Sequence, residues 1–106
     1  MVKIRYSLNV IGKLASKYDV FSNPLRLLIL KIISDSGKAS WTKIFETLEE
    51  VLGKHVNPNT VNFHLTKLIS KGIVVKTPDE QYMVNEDLLK KDLVLKTVLE
   101  EMKSAQ

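Results

Sequence analysis

Apolar residues recur with a helical period as far as Gly72 and with a strand period just after it. Leu8, Ile11, Ala15 and Tyr18 repeat every three to four residues and predict a first helix over about 7–18, weakened by Gly12. A second helix opens at Ser22-Asn23-Pro24, where a polar cap precedes proline at the first helical position. Leu25, Leu28, Ile29, Ile32 and Ile33 form its inward stripe, and Leu27 and Leu30 widen it. A helix so apolar around its circumference belongs in the middle of the fold, and Asp35-Ser36-Gly37 ends it. Ser40 caps a third helix with the stripe Trp41, Ile44, Phe45, Leu48, Val51 and Leu52, stopped by Gly53. The fourth has cap Asn57, Pro58 at its first position, a core stripe of Val61, Leu65, Leu68 and Ile69, and Gly72 at its end.

Beyond Gly72 the period changes from 3.6 to 2. Ile73-Val74-Val75-Lys76 and Gln81-Tyr82-Met83-Val84 flank Thr77-Pro78-Asp79-Glu80, and Pro-Asp is turn chemistry, so a short hairpin is expected. Asn85 caps a last helix over about 86–103, with Glu86 and Asp87 in the first turn where the helix dipole favours them. Its apolar residues Leu88, Leu95 and Met102 fall seven apart, with Val98 and Leu99 between them. Leu89, Leu93 and Val94 make that face wider than a small monomer easily covers. The expected fold is mainly α with a small β-hairpin, about five helices and two strands. No linker or repeat interrupts the 106 residues, so one domain is expected, with its core over about 20–85.

Charge sharpens this reading because of where it lies. The net charge is +4. Residues 1–53 carry eight Lys/Arg against five Asp/Glu, and residues 77–106 carry four Lys against seven acids. Between them, residues 54–76 hold Lys54, Lys67, Lys71 and Lys76 and no acid at all. A stretch without carboxylates suits a polyanion, since each acid would repel phosphates; four lysines on a solvated face would look the same.

Other classes find little support. Cysteine is absent, which removes disulfides, thiolate metal sites and thiol nucleophiles. His55 and His64 have no evident ligand cluster, so neither metal nor cofactor is expected. There is no glycine-rich phosphate loop and no nucleophile motif, and the pairs Glu49-Glu50 and Glu100-Glu101 read as solvated helix faces, so no enzyme is expected. Met1-Val2-Lys3-Ile4-Arg5 leads into no apolar stretch, so no signal peptide is expected. Leu25 to Ile33, broken by Arg26 and Lys31, is far shorter than the roughly 20 residues that span a bilayer. A cytoplasmic, nucleoid-associated protein without membrane contact is the expectation.

Three helices, a hairpin and a helix is the order of a winged helix-turn-helix domain, and over residues 57–75 the likeness becomes specific. The run Thr60-Val61-Asn62-Phe63-His64-Leu65-Thr66-Lys67-Leu68-Ile69-Ser70-Lys71-Gly72-Ile73-Val74 resembles the recognition-helix signature of ArsR-type regulators. Asn23-Pro24-Leu25-Arg26-Leu27-Leu28-Ile29-Leu30 is similar to the segment that opens that family's second helix. The resemblance covers roughly residues 20–85 and extends to small, basic, cysteine-free archaeal winged-helix proteins. It implies double-stranded DNA as partner, a wing made by the hairpin, and a homodimer through the terminal helices. His64 resembles the family's packing histidine, with a structural or phosphate-contacting role.

The residues support that reading on their own account. With Val61, Leu65, Leu68 and Ile69 inward, Asn59, Thr60, Asn62, Phe63, Thr66 and Lys67 face outward, and Asn, Thr and Lys suit base edges in a major groove. Asn62 suits an adenine edge. Phe63 suits either a thymine methyl or the space under the Gly53–Val56 turn. Thr42, Lys43, Lys54, Lys71 and Lys76 are candidate phosphate anchors. Leu88, Leu95, Val98, Leu99 and Met102 are the candidate dimer face, so that Leu95→Glu or Leu99→Glu should give a monomer.

Two departures from the family stand out. The hairpin tip carries Asp79 and Glu80 where many wings carry Arg or Lys, and the metal-sensing residues are missing. A dimeric transcription regulator is thus the leading expectation. The alternatives are an architectural DNA-binding protein of low sequence specificity, which fourteen lysines against two arginines would suit, and a protein-interaction module.

Overall fold

The computed structural model describes residues 8–104; Ser7, where the first helix was expected to open, and the segment Met1–Arg5 lie outside it. The element order is α1 (Leu8–Asp19), α2 (Pro24–Ser36), β1 (Ala39–Ser40), α3 (Trp41–Leu52), α4 (Pro58–Ser70), β2 (Val74–Lys76), β3 (Gln81–Val84), α5 (Glu86–Lys91) and α6 (Leu93–Ser104). The chain is mainly helical with a small antiparallel sheet. No helix among the described residues is long and apolar enough to cross a membrane.

Local chemistry fixes the helix starts. The Asn23 side chain accepts from Arg26 N, Ser40 from Lys43 N, and Asn57 from Asn59 N, each meeting a backbone donor that the first turn leaves open. Gly53 ends α3 in the left-handed region at φ 67°, where a side chain would be strained, and its N–H closes on Glu49 O at 2.8 Å. Glu49 then secures the turn into α4. Its Oε2 accepts from Val56 N at 2.9 Å and lies 3.2 Å from His55 Nδ1, so this acid is a turn brace where a solvated face was expected.

The sheet has three strands in the order β1-β3-β2, one more than the expected hairpin. Ala39 pairs with Tyr82 and Ser40 with Gln81. Two residues are too few to show a period, which is why β1 is invisible to pattern. The hairpin itself pairs Val74 with Val84 and Lys76 with Tyr82.

The core corrects three expectations. On α2 the buried positions are Arg26, Ile29, Leu30, Ile32 and Ile33, while Leu25 and Leu28 are half-buried: the stripe is rotated toward Arg26. On α3 only Ile44 and Leu48 are buried, and Val51 and Leu52 are exposed because the last turn runs past the core. On α4, His64 takes the inward place expected of Ile69, which is exposed.

The last helix differs most. It breaks at Asp92, whose backbone is extended (φ −103°, ψ 104°) and whose carboxylate caps α6 by accepting from Val94 N at 3.0 Å and Leu95 N at 3.2 Å. The break turns α6 onto the body of the protein. Leu95 is fully buried and Leu99 nearly so, and Leu88 and Met102 pack half-buried against the same core. These four are therefore not a free dimer face; Val98 is half-buried. The buried apolar core runs from Val20 to Leu99, past the expected limit near residue 85. Exposed apolar residues remain elsewhere: Ile11 on α1, and Leu93 and Val94 at the start of α6. The two helices are linked by Lys17 Nζ, 3.9 Å from Asp92 Oδ2.

Candidate nucleic-acid interface

The helix α4 has an inward face of Val61, His64, Leu65 and Leu68. Three- and four-residue spacing then places Asn59, Asn62, Phe63 and Thr66 together on the opposite face, and all four are exposed. Thr60 and Lys67 flank them, half-buried. Phe63 is 60% exposed, which decides between its two readings: it does not fill space under the α3–α4 turn. The helix carries no Asp or Glu.

The first turn of α3 meets this face. Trp41 Nε1 donates to Asn62 Oδ1 at 2.7 Å, and the indole stacks on Phe45 with centroids 5.0 Å apart and rings 11° from parallel. Thr42 and Lys43, next to Trp41 in the chain, are exposed. The other lysines are placed differently. Lys71 Nζ donates to Ser16 Oγ of α1 at 3.0 Å. Lys76 Nζ sits 5.7 Å from the centre of the Tyr82 ring, on the sheet. Lys54 is exposed and borders a cleft with Pro24, Leu25 and Leu28 of α2. The structure thus brings α4 and the start of α3 together and leaves these three lysines at separate places around them.

Beneath the exposed face is a polar node that sequence reading missed. Arg26 is only 5% exposed. Its Nε donates to His64 Nδ1 at 3.3 Å, and its Nη1 donates to Val20 O at 3.2 Å and Asp19 O at 3.4 Å. One guanidinium therefore ties the end of α1 and the loop after it to the middle of α4. The outer face of that tie is closed by Phe63, whose ring centroid lies 6.0 Å from Arg26 Cζ. Because arginine only donates, His64 Nδ1 must accept, and the neutral ring carries its proton on Nε2. His64 is thus built into the fold, which is the structural part of the role expected of it. A signal did exist: residues 26, 29, 30 and 33 fall on one helical face, with an arginine at its head.

Arg26→Met should lower stability by about 2–3 kcal/mol, read from the urea midpoint. Replacing a buried charge by an apolar side chain is harmless only when its partners go too, and here His64 Nδ1 and Val20 O lose the donor that Arg26 supplies, while Asp19 O keeps its bonds from Ser22. A midpoint equal to wild type would mean that this node does not hold α4.

Burial, and after it the Arg26 guanidinium, hold His64 below its ordinary pKa of 6.5. The unfolded chain takes up this proton near 6.5 and the folded chain only at lower pH. The stabilising contribution is therefore fully present above 6.5, falls as the pH drops below it, and stops falling once folded His64 also protonates. His64→Asn keeps an acceptor for Arg26 and cannot titrate. Its urea midpoint should decline less between pH 7.5 and 5 than that of wild type, and equal declines would remove His64 from the acid response.

The hairpin tip presents the opposite charge. The Thr77 hydroxyl donates to the Asp79 carboxylate, and this bond, ahead of the local backbone and Lys38, keeps Asp79 below the usual carboxylate range. Glu80 adjoins it, held at φ 59° by the tight turn. Asp79 stays ionised at neutral pH, so the tip repels phosphate.

Among the described residues no three His, Asp or Glu side chains are grouped as a metal site. Compared with protein families, curated proteins and solved structures, the chain matches none.

Proposed function

We propose that this chain is a winged helix-turn-helix protein of the ArsR type that binds double-stranded DNA and regulates transcription. In this reading α4 enters the major groove, with Asn59, Asn62, Phe63 and Thr66 toward base edges and Thr60 and Lys67 at the groove wall. Thr42 and Lys43 reach phosphates from the start of α3. The observation that carries the proposal is the exposed face of α4: amides, a hydroxyl and an aromatic ring on one side of a helix without carboxylates, braced from behind by Arg26.

The acidic hairpin tip gives the wing little part in binding. A dimer contact through Ile11, Leu93 and Val94 replaces the buried Leu95 and Leu99, and a two-fold pair would read half-sites about one helical turn apart. The chemistry asked of the protein is recognition, with no catalytic step.

Titration of a labelled mixed-sequence duplex at low and near-physiological salt tests the proposal. Binding that weakens steeply with salt is expected, because phosphates neutralised by lysine release their counterions. No binding at low salt would overturn it and favour the protein-interaction reading.

A further inference from the structure

From the Trp41–Asn62 contact we infer that Asn62 reads acceptor-bearing base edges, guanine above all, and that Trp41 is the positioning residue that sets this preference. The inference rests on α4 being the helix that enters the groove. An asparagine free to turn is suited to adenine, because its carbonyl accepts from N6 while its amide N–H donates to N7. Asn62 is not free to turn. Trp41 Nε1 lies 2.7 Å from Asn62 Oδ1, and an indole N–H can only donate. Chemistry therefore fixes which end of the amide faces the tryptophan: it must be the oxygen.

Bidentate pairing with adenine needs the carbonyl and the N–H aimed together at one base edge. Here the carbonyl is turned to the indole, and the edge left for the groove carries N–H donors. In the major groove guanine offers N7 and O6 as two acceptors, and thymine offers O4. The indole is itself held in place, stacked on Phe45 5.0 Å away at 11°. On this inference a guanine match replaces the adenine match expected of Asn62 from sequence. It also gives Trp41, at the head of a core stripe, a use beyond packing.

The test is a selection from random-sequence duplexes with wild type, Trp41→Phe, Asn62→Ala and Asn62→Asp, each shown to be folded by circular dichroism. Wild type should enrich guanine, with thymine second, at one position per half-site, and Asn62→Ala should lose about tenfold of that preference. Trp41→Phe keeps a ring to stack on Phe45 and removes the N–H, so the freed amide should admit adenine at the same position. Asn62→Asp keeps an oxygen for Trp41 and turns an acceptor to the groove, moving the preference to cytosine through its N4 donor. Adenine enrichment by wild type, identical profiles for wild type and Trp41→Phe, or binding without base preference would each overturn the inference while leaving DNA binding intact. A wild type that retains no duplex would overturn both.

Discussion

Leu95→Glu should leave the chain unfolded. Leu95 is fully buried, between Asp92, which caps α6, and Leu99, in the core that also holds Ile29, Leu30 and Ile33. The substitution removes a well-packed side chain, a loss of about 2–5 kcal/mol for a large-to-small change, and it places a carboxylate where no partner waits. A domain of this size is stable by only about 5–15 kcal/mol, so the two costs together consume most of what holds it. Circular dichroism should show little helix at 25 °C. Leu93→Glu is the contrasting case. Leu93 is 75% exposed, so this variant should fold normally, and under the proposed dimer contact it should sediment as a monomer while wild type should sediment as a dimer. A folded, monomeric Leu95→Glu would show instead that α6 is held by a second copy and not by its own core.

Lys67→Glu should weaken binding to duplex DNA by about tenfold or more at low salt and flatten the salt dependence by about one ion. Lys67 flanks the exposed face of α4 and has no acid beside it on that helix. In the proposed complex, losing Lys67 as a phosphate contact would remove one released counterion, and the new carboxylate would repel what the ammonium attracts. Folding should survive. Lys67 lies in the last turn of α4, where exchanging a cation for an anion costs about 0.3–1 kcal/mol through the helix dipole. The control is Lys103→Glu, at the cleft between α6 and the end of α2, which makes the same change in net charge away from α4. Equal losses in both variants would reduce the effect to overall charge, and no loss in Lys67→Glu would remove α4 from the interface.

Most of the helices were legible because their signals are local. Caps at Asn23, Ser40 and Asn57, prolines at 24 and 58, and glycines at 37, 53 and 72 mark their ends within a residue or two. The outward face of α4 was legible for the same reason, since one period fixes both sides of a helix. What stayed hidden depends on partners distant in sequence. Residue 39 pairs with 82, Arg26 bonds His64 thirty-eight residues away, and Trp41 bonds Asn62 twenty-one away. The break at Asp92 is local, yet the heptad spacing of Leu88, Leu95 and Met102 masks it. Those residues meet one core from two helices, and the pattern alone reads as one long face. The same spacing suggested a dimer surface, because periodicity tells which residues need cover and not what covers them.

Whether the outer face of α4 meets DNA can be read by following backbone amides and the Trp41 indole N–H by NMR during titration with a duplex. The largest shifts should fall at Asn59, Asn62, Phe63, Thr66 and Lys67, with the indole signal moving as Asn62 engages a base. Smaller shifts should appear at Thr42 and Lys43, and little change at Asp79 or along α6. Shifts concentrated on the hairpin or on α6, with α4 unmoved, would contradict that contact.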